Sequence, residues 1–145
     1  AYPDAALMFV GPQGPDSPGV RYYTGIGDAT LASLYRRAWV YASPSTYEGF
    51  GLPYLEAMAC GTAVLATPNA GSREVVGGHA NGRLVDAAQF GGALLDLLSD
   101  ASRRRASEGA GLLRAHEFSL DVMLDRYEAL LTQLCGAHAG SVPSA

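Results

Sequence analysis

A chain of 145 residues with 48% hydrophobic and 17% charged residues is globular and long enough for one domain with one core, which excludes a disordered segment. Its net charge of −4 provides no basic footprint for nucleic acid, and no stretch reaches the roughly 18 apolar residues of a membrane span. The N-terminus does not read as a signal peptide, and Cys60 and Cys135 stand apart without metal-ligand spacing, which points to a reduced, cytoplasmic protein.

Apolar runs alternate with helical patterns through the first half of the chain. Ala6–Val10 is a short buried strand ended by Gly11 and Pro12, the segment Pro15–Gly19 is a loop, and Val20–Thr24 is a second strand ended by Gly25. Asp28 is placed to cap a helix over Ala29–Ala38, in which Leu31, Leu34, Tyr35 and Ala38 follow the i, i+3, i+4, i+7 stripe. Trp39–Ser43 is the third buried strand, Pro53–Cys60 a short helix ended by Gly61, and Ala63–Thr67 the fourth strand, stopped by Pro68. Ser72–Val76 gives a further short helix, and Gly82–Val85 a brief fifth strand.

From Ala87 the pattern is helical only. Phe90, Leu94, Leu95, Leu97 and Leu98 line one helix, and Arg103–Arg114 makes another. Asp121–Cys135 forms a third, with Val122, Leu124, Tyr127, Leu130, Leu131 and Leu134 on its buried side. Residues 136–145 read as a flexible tail. Uniformly apolar strands alternating with helices imply an α/β fold, a Rossmann-like parallel sheet with helices on both faces, followed by an all-helical C-terminal region.

In such sheets ligands sit beyond the carboxyl ends of the strands. Two segments follow strand ends here, one carrying Glu48 and the other Gly71-Ser-Arg-Glu74, so both line one crevice. The first is the most informative stretch of the chain: Glu48-Gly-Phe-Gly-Leu-Pro-Tyr-Leu-Glu56-Ala-Met-Ala-Cys-Gly61. Pro53 suits the first turn of a helix, where its missing N–H costs nothing. The expected geometry is a loop carrying Glu48, then a helix carrying Glu56 near its start. A helix mouth presents free backbone N–H groups and a positive dipole end, which suits a phosphate. Adjacent carboxylates suit hydroxyl groups, because they only accept hydrogen bonds. Taken singly, Glu48 reads as a solvated loop residue, Glu56 as a first-turn glutamate, and the glycines as turn formers. Taken together they mark a site for a ligand with both phosphate and hydroxyl groups.

The stretch from Leu7 to Asp86, with Phe118 and the helix after it, resembles the C-terminal domain of retaining glycosyltransferases of the GT-B fold, glycosyltransferase family 4 in particular. The matching phrases are Pro44-Ser45 followed by Glu48-Gly-Phe-Gly-Leu-Pro and Glu56-Ala-Met-Ala, then Ala63-Val-Leu-Ala-Thr67, Gly71 with Glu74-Val-Val76, and Gly82 with Leu84-Val85. The resemblance implies that residues 1–135 are a partial nucleotide-sugar-binding domain of a sugar transferase. By that analogy Glu56 accepts hydrogen bonds from ribose hydroxyls. Glu48, the residue assigned to catalysis, and the amides of Gly49, Phe50 and Gly51 hold the transferred sugar, while the N–H groups of Gly51 and Leu52 face the diphosphate.

The chain departs from the family pattern in two respects. It starts after the strand and helix that supply an Arg and a Lys for the diphosphate, and all ten of its basic residues are Arg. In the family's strand order the absent strand is the central one, between Leu7–Val10 and Trp39–Ser43. The acceptor-binding N-terminal domain is absent too and is the implied partner. A peripheral membrane acceptor is compatible with this reading, although the chain itself has no membrane segment. Alternatives from other classes are a non-catalytic nucleotide or sugar-nucleotide binding module and an α/β interaction domain with a vestigial site.

The remaining candidates read as structural. His79 is in a loop, His116 at a helix end and His138 in the tail, with no pair at metal-ligand spacing, so neither a metal site nor a cofactor is expected. Arg73 and Glu74 stand at a helix start near the crevice and read equally as surface residues, while Tyr47 reads equally as a stacking or a packing side chain. Arg103–Arg105 reads as a solvated helix face. Ser43 and Ser45 lack the Gly-x-Ser-x-Gly frame of a hydrolase nucleophile.

Overall fold

A computed structural model describes residues 5–78 and 80–139 of the chain. The elements run β1 (Leu7–Val10), β2 (Val20–Tyr23), α1 (Asp28–Arg37), β3 (Val40–Ser43), α2 (Leu52–Ala59), β4 (Ala63–Ala66), α3 (Ala70–Val76), β5 (Arg83–Leu84), α4 (Ala87–Ser99), α5 (Ala101–His116) and α6 (Leu120–Ala139). All strand pairs are parallel, as runs of apolar residues without polar alternation require. β3, β4 and β5 make one sheet in that order, with Val40 opposite Ala63 and Leu65 opposite Arg83. β1 and β2 make a second, two-stranded sheet, with Leu7 opposite Val20. Among the described residues β1 and β3 do not pair.

The core is organised about β4, whose four residues have no exposed surface. Successive side chains of a strand point to opposite faces, so one run of four apolar residues serves two layers. Val64 and Ala66 face a cluster with Tyr35 of α1, Tyr54, Ala57 and Met58 of α2, and Val75 and Val76 of α3. Leu65 faces the opposite layer, Ala93 and Leu97 of α4, with Val40, Val85, Phe90 and Leu94 around them. α5 closes against α2, where Gly111 lies so near Met58 that an added Cβ would meet Met58 Cγ at 3.2 Å.

Several local expectations change. Asp28 is the first residue of α1 and does not cap it; Gly27 holds the cap position, with no side-chain cap bond. α3 begins at Ala70 instead of Ser72, because Asn69 caps it and Ser72 closes a capping box. Trp39 precedes β3 and is 56% exposed, with the Arg104 guanidinium 4.4 Å over its ring. Arg104 itself is largely covered and donates to the carbonyl of Leu97 at 2.9 Å, so it is no solvated residue of a basic face.

The apolar stripe of α6 is exposed. Leu124, Tyr127, Leu130, Leu131 and Leu134 keep about half of their surface, because helical periodicity creates an apolar face without supplying the surface it docks against. α6 continues to Ala139, past the expected start of the tail and through the backbone of His138; residues 140–145 and His79 lie outside the described residues.

Leu65 is the apolar side chain that joins the sheet to the α4 layer. Leu65→Ala is expected to destabilise the protein by about 2–5 kcal/mol, read as a lowered urea midpoint, the cost of deleting a fully buried leucine from a packed site.

Candidate functional site

The loops after β3 and β4 leave the carboxyl edge of the sheet side by side, and buried polar groups lock them together. Thr67 N–H donates to Ser43 O at 3.2 Å, and the Thr67 hydroxyl donates to Ser45 O. Asn69, 8% exposed, does most of the joining. Its Nδ2 donates to Ser45 O at 3.0 Å and to the Tyr54 hydroxyl at 3.3 Å, while its Oδ1 accepts from Ser72 N–H at 2.8 Å. The Ser72 hydroxyl accepts from Asn69 N–H at 2.8 Å and donates to Thr67 O at 2.9 Å. The backbone carbonyls of Ser43 and Ser45 are thus anchors for the loops, and the Ser45 hydroxyl donates to Tyr47 O at 2.8 Å.

Two glycines let the backbones approach. Gly51 is the N-cap of α2 with φ +93° and ψ +41°, a left-handed conformation that glycine adopts without penalty. A Cβ there would lie 2.5 Å from Tyr54 Cδ2. Gly71, in the first turn of α3, sits against the other loop, where a Cβ would meet the carbonyl of Phe50 at 2.8 Å and Glu48 Cβ at 3.1 Å. Its N–H donates to Glu48 O at 3.3 Å.

The two helix mouths differ. The Asn69–Ser72 box fills that of α3, whereas α2 starts on a glycine with no side-chain cap and carries Pro53 in its first turn. Leu52 begins α2 and is 59% exposed; Phe50 is 47% exposed, and a Cβ on Gly49 would meet nothing within 4 Å. Glu48 is half-buried in the loop and Glu56 exposed on the second turn of α2. The sequence-derived site residues therefore come together around one open helix mouth. Tyr47 is 83% exposed, and Arg73 and Glu74 are exposed on α3.

Beneath the mouth lies an aromatic stack. The Tyr35 and Tyr41 rings meet edge to face at 5.7 Å, and Tyr41 meets Tyr54 at 6.0 Å. The Tyr35 hydroxyl donates to Glu56 Oε2 at 3.1 Å. Burial pushes the Tyr41 phenol up to about 12; the Ser43 hydroxyl opposes this, while Tyr54, Glu48 and Glu56 add to it. Both glutamates thus act on the same phenol, that of Tyr41. On the other side, the Phe50 ring meets Phe118 edge to face at 5.9 Å, and the Arg114 guanidinium lies 4.6 Å from the Phe118 ring while donating to Val75 O at 3.0 Å. Among the described residues no group of three or more His, Cys, Asp or Glu could hold a metal ion.

Sequence reading missed Asn69, Ser72 and Thr67, and treated Tyr35 only as a helix-stripe residue. Asn69 followed by Ser72 three residues later is a start signal for a helix, and could have been found by that rule. The Tyr35–Glu56 pair is separated by 21 positions and has no local signal.

Residues 17–111 match the sequence profile of glycosyl transferases group 1. The chain belongs to that family. Among relatives, O-antigen chain mannosyltransferase B of Escherichia coli is 40% identical over 103 residues, 69% of this chain and 26% of that protein. Sucrose-phosphate synthase from Thermosynechococcus elongatus is 30% identical with a TM-score of 0.78, covering 94% of this chain and 40% of that one. The structure of the Anabaena protein HepE in complex with UDP-glucose, 21% identical, shares the fold with a TM-score of 0.68 over 80% of this chain and 33% of that one. The chain of this group 1 glycosyltransferase family member spans less than half the length of each. Its parallel α/β architecture is that of GT-B glycosyltransferases.

Gly71→Ala is expected to force the two loops apart and cost about 1–3 kcal/mol, whereas Gly49→Ala, with open space around it, changes stability by less than about 0.5 kcal/mol. Urea titration of the pair compares them. Because the folded-state value of Tyr41 is raised above the 10.0 of a free phenol, its contribution to stability is present below pH 10.0 and lost as pH rises through about 12. The urea midpoint should therefore fall over that range, and fall less steeply in Tyr41→Phe.

Proposed function

We propose that this chain is the donor-binding half of a retaining glycosyltransferase, which moves a sugar from a nucleoside-diphosphate sugar to an acceptor. The observation that carries the reading is the open mouth of α2: a helix start on Gly51, without a side-chain cap, flanked by Glu48 on the preceding loop and Glu56 one turn on. The N–H groups of Gly51 and Leu52 and the positive end of the helix receive the diphosphate. Glu56 accepts from the ribose hydroxyls, a pairing suited to a carboxylate's acceptor-only chemistry. Glu48, with the amides of Gly49 and Phe50, holds the sugar ring.

The rate gain comes from positioning and from stabilising charge on the departing diphosphate, for which fixed amide dipoles need no reorganisation. No metal ion is required in this scheme, since the helix mouth, together with basic groups supplied from outside this chain, meets the phosphate charge. Among the described residues β1 pairs with β2 alone and β3 with β4 alone, and a further strand between them, with its helix, would bring basic side chains to the mouth of α2. An N-terminal domain of the same protein would hold the acceptor. The UDP-glucose carried by HepE supports a nucleotide sugar as donor, and the mannosyltransferase among the relatives keeps mannose open beside glucose. No described helix is long and apolar enough to cross a membrane, and we place the reaction in the cytoplasm.

Titration calorimetry and turnover assays of the full-length protein against a panel of nucleotide sugars test this reading. Glu56→Ala should weaken donor binding and Glu56→Asp weaken it less. Glu48→Gln should leave nucleoside-diphosphate affinity within a few-fold while lowering turnover more than about tenfold, some ~1.4 kcal/mol of transition-state stabilisation. Unchanged donor binding in Glu56→Ala would reject the ribose assignment, and equal losses for both ligands in Glu48→Gln would move that residue to the nucleotide.

A further inference from the structure

Glu56 projects from the second turn of α2, and an exposed glutamate there has three side-chain torsions free to wander. One contact restrains it. The Tyr35 hydroxyl, on α1, donates to Glu56 Oε2 at 3.1 Å. Tyr35 is itself held at three points. Its carbonyl accepts from the Thr62 hydroxyl at 2.7 Å and from Ala38 N–H at 2.9 Å, and its ring meets Tyr41 edge to face at 5.7 Å. Only 9% of Tyr35 is exposed, and Thr62 is 2% exposed, so the phenol is a rigid post beside a mobile carboxylate.

We propose that Tyr35 is a positioning residue for the donor: its hydroxyl fixes the Glu56 carboxylate in the orientation that receives the ribose. The proposal rests on the ribose assignment made above and adds a second residue to it. A carboxylate has about four lone-pair sites, and the phenol occupies one on Oε2. The remaining sites, including both on Oε1, stay available to a pair of vicinal hydroxyls. Burial first, and then the adjacent Glu56 charge, hold the Tyr35 phenol well above the usual phenol range, so it remains a proton donor throughout the working pH range. Fixing the acceptor before the ligand arrives lowers the ordering cost of binding. It also selects for hydroxyls at the positions Glu56 faces, since a ligand without them leaves the oriented carboxylate without partners.

The test uses the full-length protein and its Tyr35→Phe and Glu56→Gln variants, singly and combined. Phenylalanine keeps the ring and its stack while removing only the donor. The ligands are UDP and GDP and their 2′,3′-dideoxy counterparts, with affinities from titration calorimetry and thermal melting as the fold control. Tyr35→Phe should weaken the better-bound ribonucleotide about three- to tenfold and leave its dideoxy counterpart within twofold, the scale of one ordinary net hydrogen bond. In the Glu56→Gln background the Tyr35 substitution should lose most of its effect. Equal weakening of ribo and dideoxy ligands would mean that Tyr35 only supports the fold, and the proposal would fail. Undiminished ribonucleotide affinity in Tyr35→Phe, with Glu56→Gln still impaired, would reject Tyr35 and leave the ribose assignment standing. An unimpaired Glu56→Gln, or no binding of either ribonucleotide to the wild-type protein, would remove both.

Discussion

The site depends on one buried amide. Asn69 caps α3, accepts from Ser72 N–H, and donates to the loop carbonyl of Ser45 and the hydroxyl of Tyr54 on α2. A polar side chain at 8% exposure is tolerable only when its hydrogen-bonding groups are satisfied, and leaving one orphaned costs about 1–3 kcal/mol. The network is fully paired: among the described residues no buried side-chain nitrogen or oxygen lacks a partner. Such a network tolerates one arrangement of the two loops and penalises others. The position of Glu48 and of the α2 mouth follows from that arrangement, because Gly71 N–H donates to Glu48 O and the Gly71 Cα, bare of a side chain, packs against the Phe50 carbonyl across the loop interface that Asn69 holds closed.

Around this clamp the chain divides labour by layer. β4 supplies the rigid floor, with alternate residues anchoring the α1–α2–α3 cluster on one side and α4 on the other. The loops at its carboxyl end carry the chemistry, the usual arrangement for open parallel sheets. Capping decides which helix end stays free. α3 consumes its own amides through Asn69 and Ser72, while α2 begins on a left-handed glycine and has no side-chain cap. A side-chain cap needs extended backbone at the cap position, whereas Gly51 is left-handed and a Cβ there would strike Tyr54, so the packing of Tyr54 and the absence of a cap go together.

Apolar surface is distributed unevenly over this layout. The β4 core is tightly covered, whereas Leu7, Phe9 and Val10 on β1 and the long stripe of α6 stand about half exposed. These surfaces lie on elements with few partners within the chain, which spans less than half of its relatives. Phe50 joins the two regions. Its edge-to-face contact with Phe118 at the α5–α6 turn, with Arg114 over the same ring, links the site loop to the start of the exposed helix.

Strand and helix positions, the parallel sheet and the family were legible in the residue order, because each rests on local periodicity or on a contiguous phrase. Leu7–Val10, Ala63–Ala66 and Glu48 to Glu56 are of this kind: a four-residue apolar run favours a strand, and a Gly-Phe-Gly loop before Pro53 favours a helix start. Only Ala63–Ala66 is buried as expected of both strands, since among the described residues β1 pairs with β2 alone and keeps Leu7, Phe9 and Val10 about half exposed. What periodicity cannot carry is the identity of the surface on the other side. The leucines of α6 have the spacing of a buried face and are exposed, and Trp39 has the composition of a strand residue and lies outside it under Arg104. The clamp at Asn69 and the pairing of Tyr35 with Glu56 join residues from 15 to 24 positions apart, so only tertiary packing could bring those groups within hydrogen-bonding distance. Local pattern fixes which faces are apolar and where helices begin; long-range geometry fixes which polar groups meet, because a hydrogen bond requires about 3 Å between atoms that the chain itself keeps far apart.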